Sequence, residues 1–206
     1  MALATGGYAL SSEEKRHVEP KQHLSMIYDQ TKCVGCAECE SACHSVNLVP
    51  AAQNRMIIQD RTDPDNVKAR RFVRVSCQQC EEAPCVAVCP TAACHKDSLL
   101  DVVTMNGDDC IGCAYCIVAC PYDVRFINEE TNMAENCNFC LETRLKKGLQ
   151  PGCVEACKYD ALVFGDMNDP KSTISRILSI KDTVRQRPEL GTKPSLRYVP
   201  AVKQGV

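Results

Sequence analysis

The sequence predicts an α+β chain of short strands and short helices, arranged as two repeated modules and ending in a long tail. Three observations predict it. Large side chains are scarce, with aromatic residues at 5% and no tryptophan, while seventeen cysteines are present in 206 residues. Sixteen of those cysteines fall into four quartets of similar spacing. Short β-type runs stand before quartets one to three, and a short helix and a second β-type run come after.

The elements follow in chain order. Met1 to Leu10 is small and apolar but too short to span a bilayer, which needs about 18–20 residues. It reads either as the remnant of an export signal or as a loose N-terminus. Ser25 to Asp29 reads as a strand ahead of the first quartet. Met56 to Ile58 and Arg71 to Val75 read as a hairpin across the turn-rich Thr62-Asp63-Pro64-Asp65-Asn66. Within it, Phe72 to Val75 leads into the second quartet, and Val102 to Met105 leads into the third. Arg125 to Asn128 and Ala161 to Phe164 read as return strands. Leu141 to Gly152 reads as a helix with basic residues Arg144, Lys146 and Lys147, capped by Gly148. Pro170, with Ile174, Ile177 and Leu178 at helical spacing, predicts one amphipathic helix. Arg187 to Val206 carries three prolines and little periodicity, so it is expected to be disordered or to drape over a neighbour.

The quartets carry the chemistry. The first is Cys33, Cys36, Cys39 and Cys43; the third is Cys110, Cys113, Cys116 and Cys120, with the same C-x2-C-x2-C-x3-C spacing. The second, Cys77, Cys80, Cys85 and Cys89, has a four-residue middle gap. The fourth, Cys137, Cys140, Cys153 and Cys157, widens that gap to twelve. Thiolates at i, i+3 and i+6 point at three corners of one [4Fe–4S] cube, and in two-cluster ferredoxins the fourth cysteine serves the other cube. Strand, quartet, helix and strand together form the half-unit of a bacterial ferredoxin, and four half-units make two ferredoxin-like modules. Structural zinc sites use separated C-x2-C pairs, which the unbroken triplets do not match. Cysteines three apart do not pair locally without strain, which removes a disulfide framework. No C-x-x-C is followed by His, so covalent haem is excluded. Cys94 stands outside the quartets and reads as a small buried hydrophobe.

The formal net charge of −2 leaves no basic excess for nucleic acid. Four oxidised cubes adding about −2 each would bring the loaded chain to roughly −10. There is no glycine-rich phosphate loop, no zinc-protease motif and no nucleophile triad. The sequence therefore reads as an electron carrier with no active site of its own.

The quartets, with Cys33-Val34-Gly35-Cys36, Ser76-Cys77-Gln78-Gln79-Cys80, Cys113-Ala114-Tyr115-Cys116 and Gly152-Cys153-Val154-Glu155-Ala156-Cys157, resemble a known family. It comprises the four-cluster ferredoxin subunits of membrane-linked anaerobic respiratory complexes: polysulfide, thiosulfate, tetrathionate and dimethyl sulfoxide reductases, and the NrfC-type proteins of cytochrome c nitrite reduction. The similarity runs from about Met26 to Val199. It implies that quartet one pairs with four, and two with three. One cluster would take Cys33, Cys36, Cys39 and Cys157, and its partner Cys137, Cys140, Cys153 and Cys43. A third would take Cys77, Cys80, Cys85 and Cys120, and the fourth Cys110, Cys113, Cys116 and Cys89. His44 and Lys158 depart from the proline that ferredoxins often carry after the last cysteine.

The implied organisation is an extension over 1–23, module I over 24–48 plus 131–165, and a hairpin insertion over 49–72. Module II, over 73–130, is inserted within module I, and a C-terminal helix and docking tail occupies 166–206. The resemblance also implies a relay between an integral membrane quinone-reactive subunit and a catalytic partner, either a molybdopterin enzyme or a multihaem cytochrome c. The implied location is the periplasmic face of the cytoplasmic membrane. The alternative is a soluble polyferredoxin serving a cytoplasmic hydrogenase or formate enzyme.

Overall fold

The computed structural model describes residues 21–66 and 70–201, so the reading of Met1 to Leu10 falls outside the described residues. The elements are β1 (Leu24–Asp29), α1 (Glu38–Asn47), β2 (Met56–Asp60), β3 (Phe72–Ser76), α2 (Pro84–Ala87), β4 (Cys94–Lys96) and β5 (Val103–Met105). They continue with α3 (Tyr115–Val118), β6 (Phe126–Ile127), β7 (Ala134–Glu135), α4 (Gly152–Glu155), β8 (Leu162–Asp166), α5 (Thr173–Ile180) and β9 (Arg197–Val199). The architecture is α+β and ferredoxin-like, as the sequence predicts.

Strand β1 is the centre of the main sheet, with β8 antiparallel on one side and β9 parallel on the other. A central strand covered on both faces is buried throughout, and all six residues of Leu-Ser-Met-Ile-Tyr-Asp are. Its two faces serve different cores. Met26 and Tyr28 pack toward the cysteines Cys39, Cys43, Cys137 and Cys153, whereas Ile27 packs with Ile174 of α5. The remaining strands form hairpins: β2 with β3, β4 with β5, and β6 with β7. Helix α1 lies against α4, and α2 against α3. These pairings put the helix-borne cysteines of quartets one and four together, and those of two and three together.

Three local expectations change. The helix expected over Leu141 to Gly152 is a single 3-10 turn at Leu145–Lys147, ended by Gly148 at φ 72°. Phe139 and Cys140 just ahead of it are both left-handed, which turns the chain where a longer helix would begin. Helix α5 starts at Thr173, not at Pro170, because the Ser172 hydroxyl accepts from Ser175 N at 3.2 Å and caps it.

The largest change concerns the tail. Its residues Thr192 to Leu196 run alongside Gln78 to Glu82, with Glu82 N on Thr192 O, Glu81 N on Lys193 O, Ser195 N on Gln79 O and Leu196 N on Gln78 O. It then joins β1 as β9, with Tyr198 opposite Tyr28. Leu196, Tyr198 and Val199 are buried in the chain's own core. Over its described residues the tail is therefore neither loose nor free to drape over another protein. It seams the second quartet to the main sheet.

Candidate metal centres

The four quartets fold alike. In the first C-x2-C step of each quartet the residue before the second cysteine is left-handed: Gly35 at φ 75°, Gln79 at 51°, Gly112 at 68° and Phe139 at 56°. That turn reverses the chain, and in quartets one, two and four both cysteines of the step line the same cavity. The third cysteine is always the second residue of a short helix: Cys39 in α1, Cys85 in α2, Cys116 in α3 and Cys153 in α4. Cys43 lies one turn on within α1, and Cys89, Cys120 and Cys157 lie just past the ends of their helices.

Gly35 is required twice over. Its φ costs an L-residue about 1–2 kcal/mol, and a Cβ there would stand 2.3 Å from the Phe72 ring. Gly148 has a similar φ but nothing within 4 Å of a Cβ. Gly35→Ala is thus expected to lower the denaturant midpoint well below that of Gly148→Ala, which carries only the conformational cost. Loss of the cluster absorbance in denaturant checks the order of the two.

Three small cavities gather cysteines from different quartets. Cys33, Cys36, Cys39 and Cys157 line one, with Tyr28, Val34 and Ile58. Cys43, Cys137, Cys140 and Cys153 line a second, with Asn47 and Arg74. Cys77, Cys80, Cys85 and Cys120 line a third, with Tyr122 and Arg125. Cys116 is buried in a separate cluster with Cys94 and Cys85, against which Cys89 and Cys110 pack. Cys113 is exposed on the turn between Cys110 and Cys116. Among the described residues no three His, Cys, Asp or Glu side chains converge on a point as a single zinc ion requires.

Burial grades along these groups. Cys43, Cys137, Cys140 and Cys153 are all buried, whereas Cys36 and Cys113 are exposed. Burial pushes the Cys39 thiol up to about 11 and the Cys43 thiol up to about 12. Cys77 and Cys153 are raised further for the same reason. Cysteine binds iron as the thiolate, so such a thiol releases its proton readily only where iron supplies the missing positive charge.

Three neighbours escaped the sequence reading. Arg74 is fully buried, with Nη2 3.7 Å from Cys137 Sγ. Its signal was present: in Phe72-Val73-Arg74-Val75-Ser76 the alternation puts Arg74 on the same buried face as Phe72 and Ser76. Asn47 Nδ2 lies 3.3 Å from Cys140 Sγ, and only the packing of α1 reveals it. Arg125 is buried, and its three guanidinium nitrogens have no well-formed hydrogen-bond partner among the described residues. Cys94 is buried as expected, but it is more than filler. Its backbone N–H donates to Cys89 Sγ at 3.3 Å, and a hydrogen bond from its thiol favours the Cys85 thiolate. An orphaned buried cation beside a ring of thiols fits an anionic group held by those thiols, as an iron–sulfur cluster is.

Fold and site together define an iron–sulfur protein of the ferredoxin class. Residues 68–167 match the model of the 4Fe-4S dicluster domain. The chain is 46% identical to the protein NrfC homolog of Haemophilus influenzae over 192 residues, 92% of this chain and 84% of that one. It is 44% identical to the B subunit of polysulfide reductase of Wolinella succinogenes over 184 residues, covering 88% of this chain and 96% of that one. It is 44% identical to the thiosulfate reductase electron transfer subunit PhsB of Salmonella typhi over 165 residues, 79% and 84% of the two chains. The chain belongs to this family of 4Fe-4S electron-transfer subunits of anaerobic respiratory reductases.

Proposed function

We propose that the chain holds four [4Fe–4S] clusters in a row and relays electrons between a membrane quinone-reactive subunit and a catalytic reductase subunit. The ligands are the sixteen quartet cysteines, grouped as the cavities group them, with Cys89, Cys110, Cys113 and Cys116 as the fourth set. When bound, each cluster supplies a one-electron redox centre. The units are module I, over 24–48 plus 131–165, and module II, over 73–130, inserted within it.

The carrying observation is that adjacent sets are joined while only the outer two present a fully exposed cysteine. Helix α1 bears both Cys39 and Cys43 and so joins the first set to the second. Gln79, inside the Cys77–Cys80 turn, donates to Cys137 O at 2.6 Å and ties the second to the third. Cys85 in α2 and Cys89 just past it join the third to the fourth. At the ends, Cys36 is flanked by exposed Val34 and Tyr159, and Cys113 by exposed Ile111, Tyr115 and Val118. An exposed ligand ringed by apolar side chains suits a partner that excludes water while an electron crosses.

Among the described residues no helix is long and apolar enough to cross a membrane. A membrane partner therefore supplies the contact with quinone, and the periplasmic face is the expected side. The chain lacks catalytic machinery of its own in this reading; the reductase subunit performs the chemistry on nitrite, polysulfide, thiosulfate or a similar acceptor.

Anaerobically purified protein is expected to hold about sixteen iron and sixteen sulfide per chain. In cells it should fractionate with membranes and be reduced by quinol only when the membrane subunit is present. A count near twelve iron would overturn the four-cluster reading. A chain found soluble and reduced without any membrane partner would replace the relay with the soluble polyferredoxin.

A further inference from the structure

Arg74 and Arg125 are cations placed where a folded chain seldom tolerates them. Arg74 is 0% exposed and Arg125 6%. Neither takes part in any ion pair with a carboxylate among the described residues. An isolated charge in the interior costs several kcal/mol after relaxation unless an opposite charge accompanies it. For both residues the surroundings are sulfur. Arg74 reaches Ser76 Oγ and Cys137 Sγ, and lines the cavity of Cys43, Cys137, Cys140 and Cys153. Arg125 lines the cavity of Cys77, Cys80, Cys85 and Cys120.

The placement repeats once per module. Arg74 stands at the cavity of the second set and Arg125 at that of the third. Lysine is not an equivalent solution, because a planar guanidinium offers donors in several directions and is less strongly hydrated.

We propose that Arg74 and Arg125 are fixed internal counterions, one for each two-cluster module, that raise the reduction potentials of the clusters beside them. The inference rests on the four-cluster reading above. Reduction adds one negative charge to a buried site, and an adjacent buried cation stabilises that added charge more strongly than water-screened surface lysines do. Arg125, with three unpartnered nitrogens, should have the larger effect. Arg74 already shares its charge with Ser76 and sits beside Tyr198, whose hydroxyl is held by Gln78.

The test is an anaerobic redox titration of the loaded full-length chain, followed by electron paramagnetic resonance, in Arg125→Gln, Arg125→Lys, Arg74→Gln and Arg74→Lys. With iron content at the wild-type level, Arg125→Gln should cut the reduced-to-oxidised ratio of the module II clusters at least tenfold at the wild-type midpoint. That corresponds to about 59 mV for a one-electron couple. Arg74→Gln should shift module I in the same direction by less. The lysine variants, which keep the charge, should stay within about threefold of wild type, roughly half that shift on the same scale. Glutamine variants that lose clusters while their lysine counterparts keep them would also support a counterion. Fully loaded glutamine variants with unchanged potentials would overturn the proposal. So would lysine and glutamine variants that shift, or lose iron, equally, since shape rather than charge would then matter. A wild-type chain short of sixteen iron would instead remove the four-cluster reading itself.

Discussion

Deleting the segment after Gln186 is expected to unload clusters and collapse the fold, rather than release an intact electron carrier from its partner. Three apolar residues in that segment, Leu196, Tyr198 and Val199, are buried. Removing each forfeits about 1.5–3 kcal/mol of burial, against a total stability of about 5–15 kcal/mol for an ordinary domain. The deletion also bares one edge of β1 and leaves Gln78 without Tyr198 OH, 2.9 Å from its Nε2. Backbone groups of Gln78 to Glu82 that pair with the tail lose their partners, and these surround Cys80. Iron content and thermal resistance of the truncated chain should both fall, with the set containing Cys77 and Cys80 affected first. A truncated chain that keeps all its iron and its thermal resistance would show that the tail is peripheral after all.

Cys157→Ser is expected to disturb the cluster held by Cys33, Cys36 and Cys39, and to spare the one held by its own quartet. Cys157 and those three cysteines line one cavity, while Cys137, Cys140 and Cys153 line another with Cys43. The loss should be on the order of one cube, about four iron of sixteen. Cys43→Ser should do the reverse, disturbing the Cys137 set. Cys94→Ser should leave the iron count at its wild-type value, because Cys94 touches ligands without belonging to a quartet. Site-resolved spectroscopy that places the Cys157→Ser disturbance in the Cys137 set would sink the crossed pairing.

Much of the fold was legible because cysteine spacing is a local property. The C-x2-C steps, the helix that carries each third cysteine and the strands flanking the quartets are set by residues within a few positions of one another. Phe72 to Val75 and Val102 to Met105 were read almost to their observed ends, and the β2–β3 hairpin followed from the turn residues between its strands. Even Gly148 was placed correctly as a cap, although the helix it ends is only one turn long. Where the spacing widened, as between Cys140 and Cys153, local reasoning overran, because left-handed Phe139 and Cys140 are imposed by the turn that aims two sulfurs inward.

The sequence by itself determined the class of protein and the repeated half-unit, since each depends on short-range spacing and backbone geometry. Only the tertiary structure decided what crosses between distant segments. It set Gln79 against Cys137 and drew the proline-bearing tail into β1. It also showed that Arg74 and Arg125 are buried without a carboxylate partner among the described residues. The reason is physical: a tail of low periodicity and a lone arginine carry no signal until the partner surface exists. The burial that makes Tyr198 core, and the sulfur-lined space that makes Arg125 tolerable, are made by residues far away in the chain.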